Sequence, residues 1–357
     1  MHTPYAARRE KVRRVMYTRG IDALLVSHAA NRYYLSGFEL HDPQFNESAG
    51  RLIITADGRD WLLTDARYRD AALRLWDANR VFIYGADAPA QMRRLLRQCG
   101  SRVGIEARGV SWHFVRELAS SGSGLWLEAV DGLVENLRCI KEPEEIAALK
   151  KSFALNHDLL HHVEEQLEPG RTEADISWAI ERYFREHGAS ELAFPSIVAV
   201  GRNAALPHAV PGRDRVMENT PVLVDVGCRL DDYCSDQTRT FWVGPVPTAD
   251  FRRSLDLTRQ AQQAAMQGMH PGVPLAEVYA MAYKIFETAG VAQAFTHGLG
   301  HGVGLETHEL PTLSPRSRGV LMPGMVVTVE PGLYYPEWGG VRWEHTVLVE
   351  ENGVCVL

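Results

Sequence analysis

The chain has 357 residues, 45% of them apolar and 23% charged, with a net charge of −7. That length exceeds one typical domain and leaves ample core for two. The acidic balance, with no basic stripe interleaved with aromatics, argues against a nucleic-acid partner, and no apolar run approaches the ~20 residues needed to span a bilayer.

In chain order, residues 1 to about 135 alternate helix-like and strand-like segments. A helix over 5–19 carries Arg8, Arg9, Lys11, Arg13 and Arg14 with no following apolar core region. It reads as a first surface helix rather than a secretory signal or transit peptide. Strands are expected at 22–27, 51–55 and 61–64, the last two joined by a turn at Asp57-Gly58. A helix over 66–77, a strand over 80–84, a helix over 88–98 and a strand over 102–106 follow. This rhythm predicts a mixed α/β sheet with flanking helices for an N-terminal domain over 1–135.

The character changes near 135–142. Pro143, followed by Glu144 and Glu145 and later by Lys150 and Lys151, marks a helix start in the order that suits the helix dipole. Thr172, with Glu173 and Asp175 behind it, caps a second helix that ends near Gly188. Two further helices are expected at about 250–268 and 275–289, among strands. An α+β domain over 136–357 is therefore predicted, and no repeat shows in plain identity.

Chemistry concentrates in this second part. Asp225 ends the apolar, β-branched run Val222–Val224, where an unpartnered carboxylate would be costly to bury. Asp236 lies eleven positions on, across a segment that Asp231 and Asp232 can turn, so the two acids can meet across a hairpin. His301 sits in the glycine-rich stretch His297–Gly304, Glu330 ends the run Val326–Val329, and Glu344 follows Arg342 and Trp343. Each acid alone would be unremarkable. Together, four carboxylates and one imidazole form a plausible ligand set for two divalent metals, favouring Mn²⁺, Co²⁺ or Zn²⁺ over a thiolate zinc site. The five cysteines, Cys99, Cys139, Cys228, Cys234 and Cys355, show no CxxC spacing and read as reduced thiols of a cytoplasmic protein. Cys228 and Cys234, near the acids, read as small buried residues rather than ligands.

With these motifs in hand, the chain resembles the pita-bread metallopeptidase family, in its Xaa-Pro aminopeptidase (aminopeptidase P) and prolidase branch. The shared pattern is the aspartate pair, the His-Gly-rich stretch, Glu330-Pro-Gly and Arg342-x-Glu344. Asn31–Phe38 and Leu63–Tyr68 resemble the additional N-terminal domain of that branch. The resemblance implies a C-terminal pita-bread catalytic domain and metal ligands Asp225, Asp236, His301, Glu330 and Glu344. It implies catalytic or substrate-handling roles for His208, His297, His308, Glu330 and Arg342. Two divalent ions are expected, with Mn²⁺ ahead of Co²⁺ or Zn²⁺. A proline-containing peptide substrate and a homodimer are implied, with no nucleic acid and no membrane.

The implied reaction is release of the N-terminal residue from peptides with proline second, as in aminopeptidase P. The alternative is a prolidase restricted to Xaa-Pro dipeptides. The segment Glu39–Glu47 departs from the short loop expected there and leaves substrate length open. More distant alternatives are metal-independent, creatinase-like hydrolysis and a non-enzymatic interaction module. Tyr334, Tyr335 and Trp338 are candidates for an apolar slot for the proline ring. Arg342 could form a salt bridge within the site or bind substrate, and Arg316 is a weaker candidate for a carboxylate contact. His345 stands beside Glu344 where the family most often has Asp, and Trp343 is also unusual there. His2, His41, His113, His161, His162 and His270 lack a supporting context.

Overall fold

A computed structural model describes residues 4–44, 47–120 and 122–357. His2, and Phe45 and Asn46 of the 39–47 segment, lie outside the described residues. The chain divides into two compact units, Met1–Arg138 and Cys139–Leu357.

The first unit is built on a six-stranded mixed sheet in the order Val81–Ile83, Trp61–Thr64, Arg51–Thr55, Ala23–Val26, Arg102–Ile105, Trp126–Ala129. Arg51–Thr55 runs antiparallel to both of its neighbours and the other pairings are parallel. The first helix, Pro4–Arg19, is anchored by its own arginines. Arg8 and Arg9 donate to the carbonyls of Tyr34 and Leu35, and Arg13 pairs with Asp60 at 3.0 Å. The helix expected over 66–77 is divided. Asp65 accepts the Arg67 amide and starts a 3₁₀ turn over Ala66–Tyr68, and an α-helix runs only over Arg69–Leu75. Helices Ala29–Ser36 and Trp112–Leu118 and the strand Trp126–Ala129 add to the elements read from sequence.

The second unit holds two helix pairs, each packed on an antiparallel sheet. Pro143–Glu165 and Glu173–Glu186 start as anticipated: Pro143 sits in the first turn, and Thr172 accepts the Asp175 amide at 3.0 Å. Leu155, Leu159, Ile180 and Phe184 of this pair share a core with Val222, Val224 and Val226 of Thr220–Val226. That strand is central in a three-stranded sheet, between Ile197–Val200 and Gln237–Val243. The second pair, Ala249–Gly268 and Leu275–Thr288, covers Val327, Val329, Val347 and Val349 of a five-stranded sheet. A ribbon of Gly332–Tyr335 with Gly339–Arg342 completes the arrangement. Among the described residues, no helix is long and apolar enough to cross a membrane.

Candidate metal centre

Strand alternation decides which side chains reach the site. Val222, Val224 and Val226 face the first helix pair, so Asp225 and Leu223 project to the other face. Asp225 pairs in register with Thr238, and Asp236 stands just before that returning strand, after a tight turn in which Asp231 and Asp232 both adopt positive φ. On the ribbon and its exit, Arg342 and Glu344 turn to the same side as Thr238 and Thr240. Thr238 donates to Glu344 Oε2 at 2.8 Å, and Thr240 donates to the Arg342 carbonyl at 3.0 Å.

The five sequence-derived ligand candidates come together. Carboxylate oxygens of Asp225, Asp236 and Glu344 lie within 4.8 Å of one another. His301 Nε2 lies 3.6 Å from Asp236 and 3.2 Å from Glu330. Thr328 donates to Glu330 at 3.0 Å. Asp225, Asp236 and Glu344 are buried, yet Asp225 Oδ1 and Glu344 Oε1 have no hydrogen-bond partner among the described residues.

Burial, aided by neighbouring acids, pushes Asp236 and Glu344 well above the usual carboxylate range. Asp225 is also raised by burial, although Arg342 opposes the shift. For Glu330 the balance reverses: burial is outweighed by the hydrogen bond and charge of His301, which hold it at about 2. His301 responds in kind. Burial would lower it, but Glu330 and then Glu344 raise it to about 9. Four acids thus share few cations, and two of their oxygens are orphaned in a dry setting. Hard oxygen donors with one imidazole, short of positive charge, fit a divalent cation. Cys228 and Cys234 are buried and their sulfurs contact Ser152, Ser235 and Leu305 rather than these acids. All five cysteines are free.

Arg342 is 3% exposed, and its guanidinium is fully engaged. It pairs with Asp225 at 2.6 Å and donates to Thr238 and Tyr334, each at 3.0 Å. Of the two roles open to it in the sequence, the salt bridge within the site is the one formed. The Tyr334 hydroxyl, accepting from Arg342, passes its own proton toward His297 Nε2 at 2.8 Å, and His297 Nδ1 donates to the Gly298 carbonyl at 2.6 Å. The hydrogen bonds therefore run in one direction from Arg342 to Gly298. Both nitrogens of His297 are occupied, whereas His208 and His308 are exposed imidazoles on the cavity wall. The His308 ring meets His301 edge-on, with centroids 4.1 Å apart.

His208, His297, His308 and Arg342 line a cavity of about 450 Å³ together with Asp225, Asp236, His301 and Glu330. Its apolar wall comes from Phe194, Pro195, Ile197, Pro207 and Val210. This corrects the expectation for the apolar slot. Tyr334 is buried with its hydroxyl committed, Tyr335 stacks on Trp338 at 5.3 Å, and none of the three lines the cavity. Arg316 is exposed and outside it too. Phe194, Pro195 and Ile197 carry no motif, and Pro207 and Val210 flank His208 without a pattern that marks them as a wall.

His345 faces away from the acids. Its Nδ1 is 3.5 Å from Arg239, and burial, then the Arg239 charge, push it down to about 4. Trp343 shares this reverse face, with the Arg239 and Arg259 guanidiniums 4.5 and 4.0 Å from its ring. The two unusual residues therefore accommodate each other and Arg239 behind the site.

Comparison with known proteins agrees with this geometry. Residues 147–351 match the model of metallopeptidase family M24, and residues 8–140 match the creatinase/prolidase N-terminal domain. A protein named Xaa-Pro dipeptidase from Pyrococcus horikoshii is 30% identical over 96% of this chain and 95% of its own. The solved Xaa-Pro dipeptidase from Bacillus anthracis superposes with a TM-score of 0.90 at 30% identity, covering 99% of this chain and 97% of that one. An X-Pro aminopeptidase from Thermotoga maritima gives 0.87 at 27% identity, covering 98% and 96%. With its pita-bread catalytic unit, its creatinase-type N-terminal unit and its acid-lined centre, the chain belongs to metallopeptidase family M24.

Proposed function

We propose that the protein is an Xaa-Pro dipeptidase working with two divalent ions, Mn²⁺ foremost, held by Asp225, Asp236, His301, Glu330 and Glu344. The observation that carries this reading is the cavity itself, with Asp225, Asp236, Glu330 and His301 on one side, Glu344 buried beside the two aspartates, and an apolar wall on the other. The dipeptidase reading replaces the aminopeptidase P reading as the leading one, because the relatives from Pyrococcus horikoshii and Bacillus anthracis, each 30% identical, bear the dipeptidase name.

Bound ions would supply Lewis-acid polarisation of the scissile amide. The protein's own residues supply the rest. Glu330 lines the cavity beside Asp225 and Asp236, where its carboxylate can accept the proton of the attacking water and deliver it to the leaving proline nitrogen. His308 and His208 stand where they can donate to the amide oxygen as it gains charge. Asp225 is held in place by Arg342, which in turn is fixed by Thr238 and Tyr334. Phe194, Ile197 and Val210 take the pyrrolidine ring and displace water from it.

The test is hydrolysis of Xaa-Pro dipeptides, Xaa-Pro-Xaa tripeptides and Xaa-Ala dipeptides after chelation and readdition of Mn²⁺, Co²⁺ or Zn²⁺. Cleavage of Xaa-Pro dipeptides alone supports the proposal. Preferential cleavage of tripeptides would restore the aminopeptidase P reading, and indifference to proline would remove both. A homodimer and a cytoplasmic location belong to the same proposal; light scattering tests the first and cell fractionation the second.

A further inference from the structure

Just behind His308 lies an ion pair that the chemistry above does not use. Lys141 Nζ meets Glu309 Oε2 at 2.8 Å, with side-chain exposures of 0% and 4%. An ion pair so completely removed from water is weak support for stability, since desolvation offsets most of its Coulomb gain. Its position gives it another use. Glu309 directly follows His308, and its other oxygen, Oε1, accepts the Glu306 amide at 3.0 Å. One carboxylate thus closes the turn that carries His308 and ties it to a lysine far away in sequence. Lys141 is itself fixed, its amide donating to the Gly324 carbonyl at 2.8 Å.

The turn is tailored to this carboxylate. A Cβ on Gly304 would meet Glu309 Oε2 at 2.6 Å, so any larger residue there would force the carboxylate to shift. The Gly304 amide donates to the Glu306 carbonyl at 3.0 Å, and the Gly304 carbonyl accepts the Cys234 amide at 2.8 Å. Thr307 donates to the Ala193 carbonyl at 3.0 Å. His308 itself is exposed toward the cavity and touches His301 edge-on. Its placement therefore comes from what lies beneath it.

We propose that Lys141 and Glu309 are positioning residues for His308, a buried ionic strut that sets where its imidazole stands over the reacting amide. Neither touches the substrate. The inference rests on the role given to His308 above. Loss of the strut lets the turn relax by a fraction of an ångström or more, and displacements near 1 Å in a catalytic group cost on the order of 10²-fold.

The test is a double-mutant cycle on Xaa-Pro dipeptide hydrolysis by the metal-loaded, full-length enzyme. One arm is His308→Ala. The other is Glu309→Gln, which keeps the shape and removes the charge. Because Glu309→Gln leaves Lys141 buried without its counterion, the paired change Lys141→Met with Glu309→Leu serves as a second arm that removes both charges together. Expected in either strut arm is a fall in kcat of roughly 10–100-fold, with KM nearly unchanged and metal content equal to that of the parent. In the His308→Ala background the same changes add little, because the group they position is already gone. Wild-type kcat in a folded strut variant overturns the inference, as does a fully additive effect on top of His308→Ala. If His308→Ala itself leaves kcat intact, the role assigned to His308 fails, and the strut inference fails with it.

Discussion

The strands Thr220–Val226 and Gln237–Val243 have two faces that do opposite work. On one, Val222, Val224 and Val226 join Leu155, Leu159 and Phe184 in an apolar core. On the other, beside a small apolar cluster around Leu223 and Ile197, Asp225 and Thr238 face Arg342 and Glu344 through hydrogen bonds and an ion pair. A residue step of one moves a side chain from the first environment to the second. The apolar face supplies stability that the acid face spends, since buried like charges and orphaned oxygens are unfavourable without a cation.

Changes on the acid face are expected to remove function and spare the fold. Asp236→Asn retains the shape of a buried side chain that makes no hydrogen bond among the described residues and approaches His301 only at 3.6 Å, so the chain is expected to stay folded. Its kcat/KM is expected to fall roughly 10³-fold or more, the loss of several kcal/mol of Lewis-acid assistance. Peptide hydrolysis measured together with metal content checks this. The apolar face should show the reverse. Leu159→Ala, at a fully buried position, is expected to cost about 2–5 kcal/mol in denaturant unfolding while the folded fraction keeps its specific activity.

A smaller effect separates the acids from their supports. Tyr334→Phe leaves the five ligand candidates in place but deprives both Arg342 and His297 of a partner. An unsatisfied buried group costs about 1–3 kcal/mol, so kcat/KM should fall roughly 10-fold with metal content unchanged. Steady-state kinetics and metal analysis would show whether the two separate.

The smallest expected effect is on pH dependence. In the metal-free chain, Asp225, Asp236 and Glu344 are raised, and His301 is raised to about 9. Each holds a proton in the folded state that the unfolded chain releases at lower pH. Their contribution is thus present below the unfolded pKa and lost as pH rises through the folded one. Glu330, held at about 2, has the opposite sign but completes its titration in acid. His345, pushed down to about 4, likewise acts only below neutrality. The melting temperature of the chelated protein should therefore decline between about pH 7 and pH 9. Thermal scans across that range, with and without Mn²⁺, test this; a rise in the chelated protein would contradict it.

The comparison also explains what could be read in advance. Asp225 is legible because it ends a β-branched run, His301 and Glu330 because each sits beside glycine or proline, and Glu344 because it follows Arg342 by two positions. Thr172 and Pro143 marked their helices because capping is local chemistry. The wall of Phe194, Ile197 and Val210 was not visible, because apolar residues on a strand or loop look the same whether they line a cavity or fill a core. Tyr334 reads in sequence as a candidate for the apolar slot, but its hydroxyl lies between Arg342 and His297. Asp65 broke the helix expected over 66–77 through a single side-chain bond to the Arg67 amide, a competition that periodicity does not register. His345 and Trp343 could be marked as unusual, but only the packing shows them turned toward Arg239 and away from the acids.

The central claim is that the four acids and His301 form a metal centre. Calorimetric titration of the chelated protein with Mn²⁺, in buffers of different ionisation enthalpy near neutral pH, tests it directly. His301, raised to about 9, and the raised carboxylates must lose protons to bind a cation. Saturable binding with proton release, tighter as pH rises and abolished by Asp236→Asn, is the predicted result. Absence of binding, or binding that Asp236→Asn leaves unchanged, would contradict it.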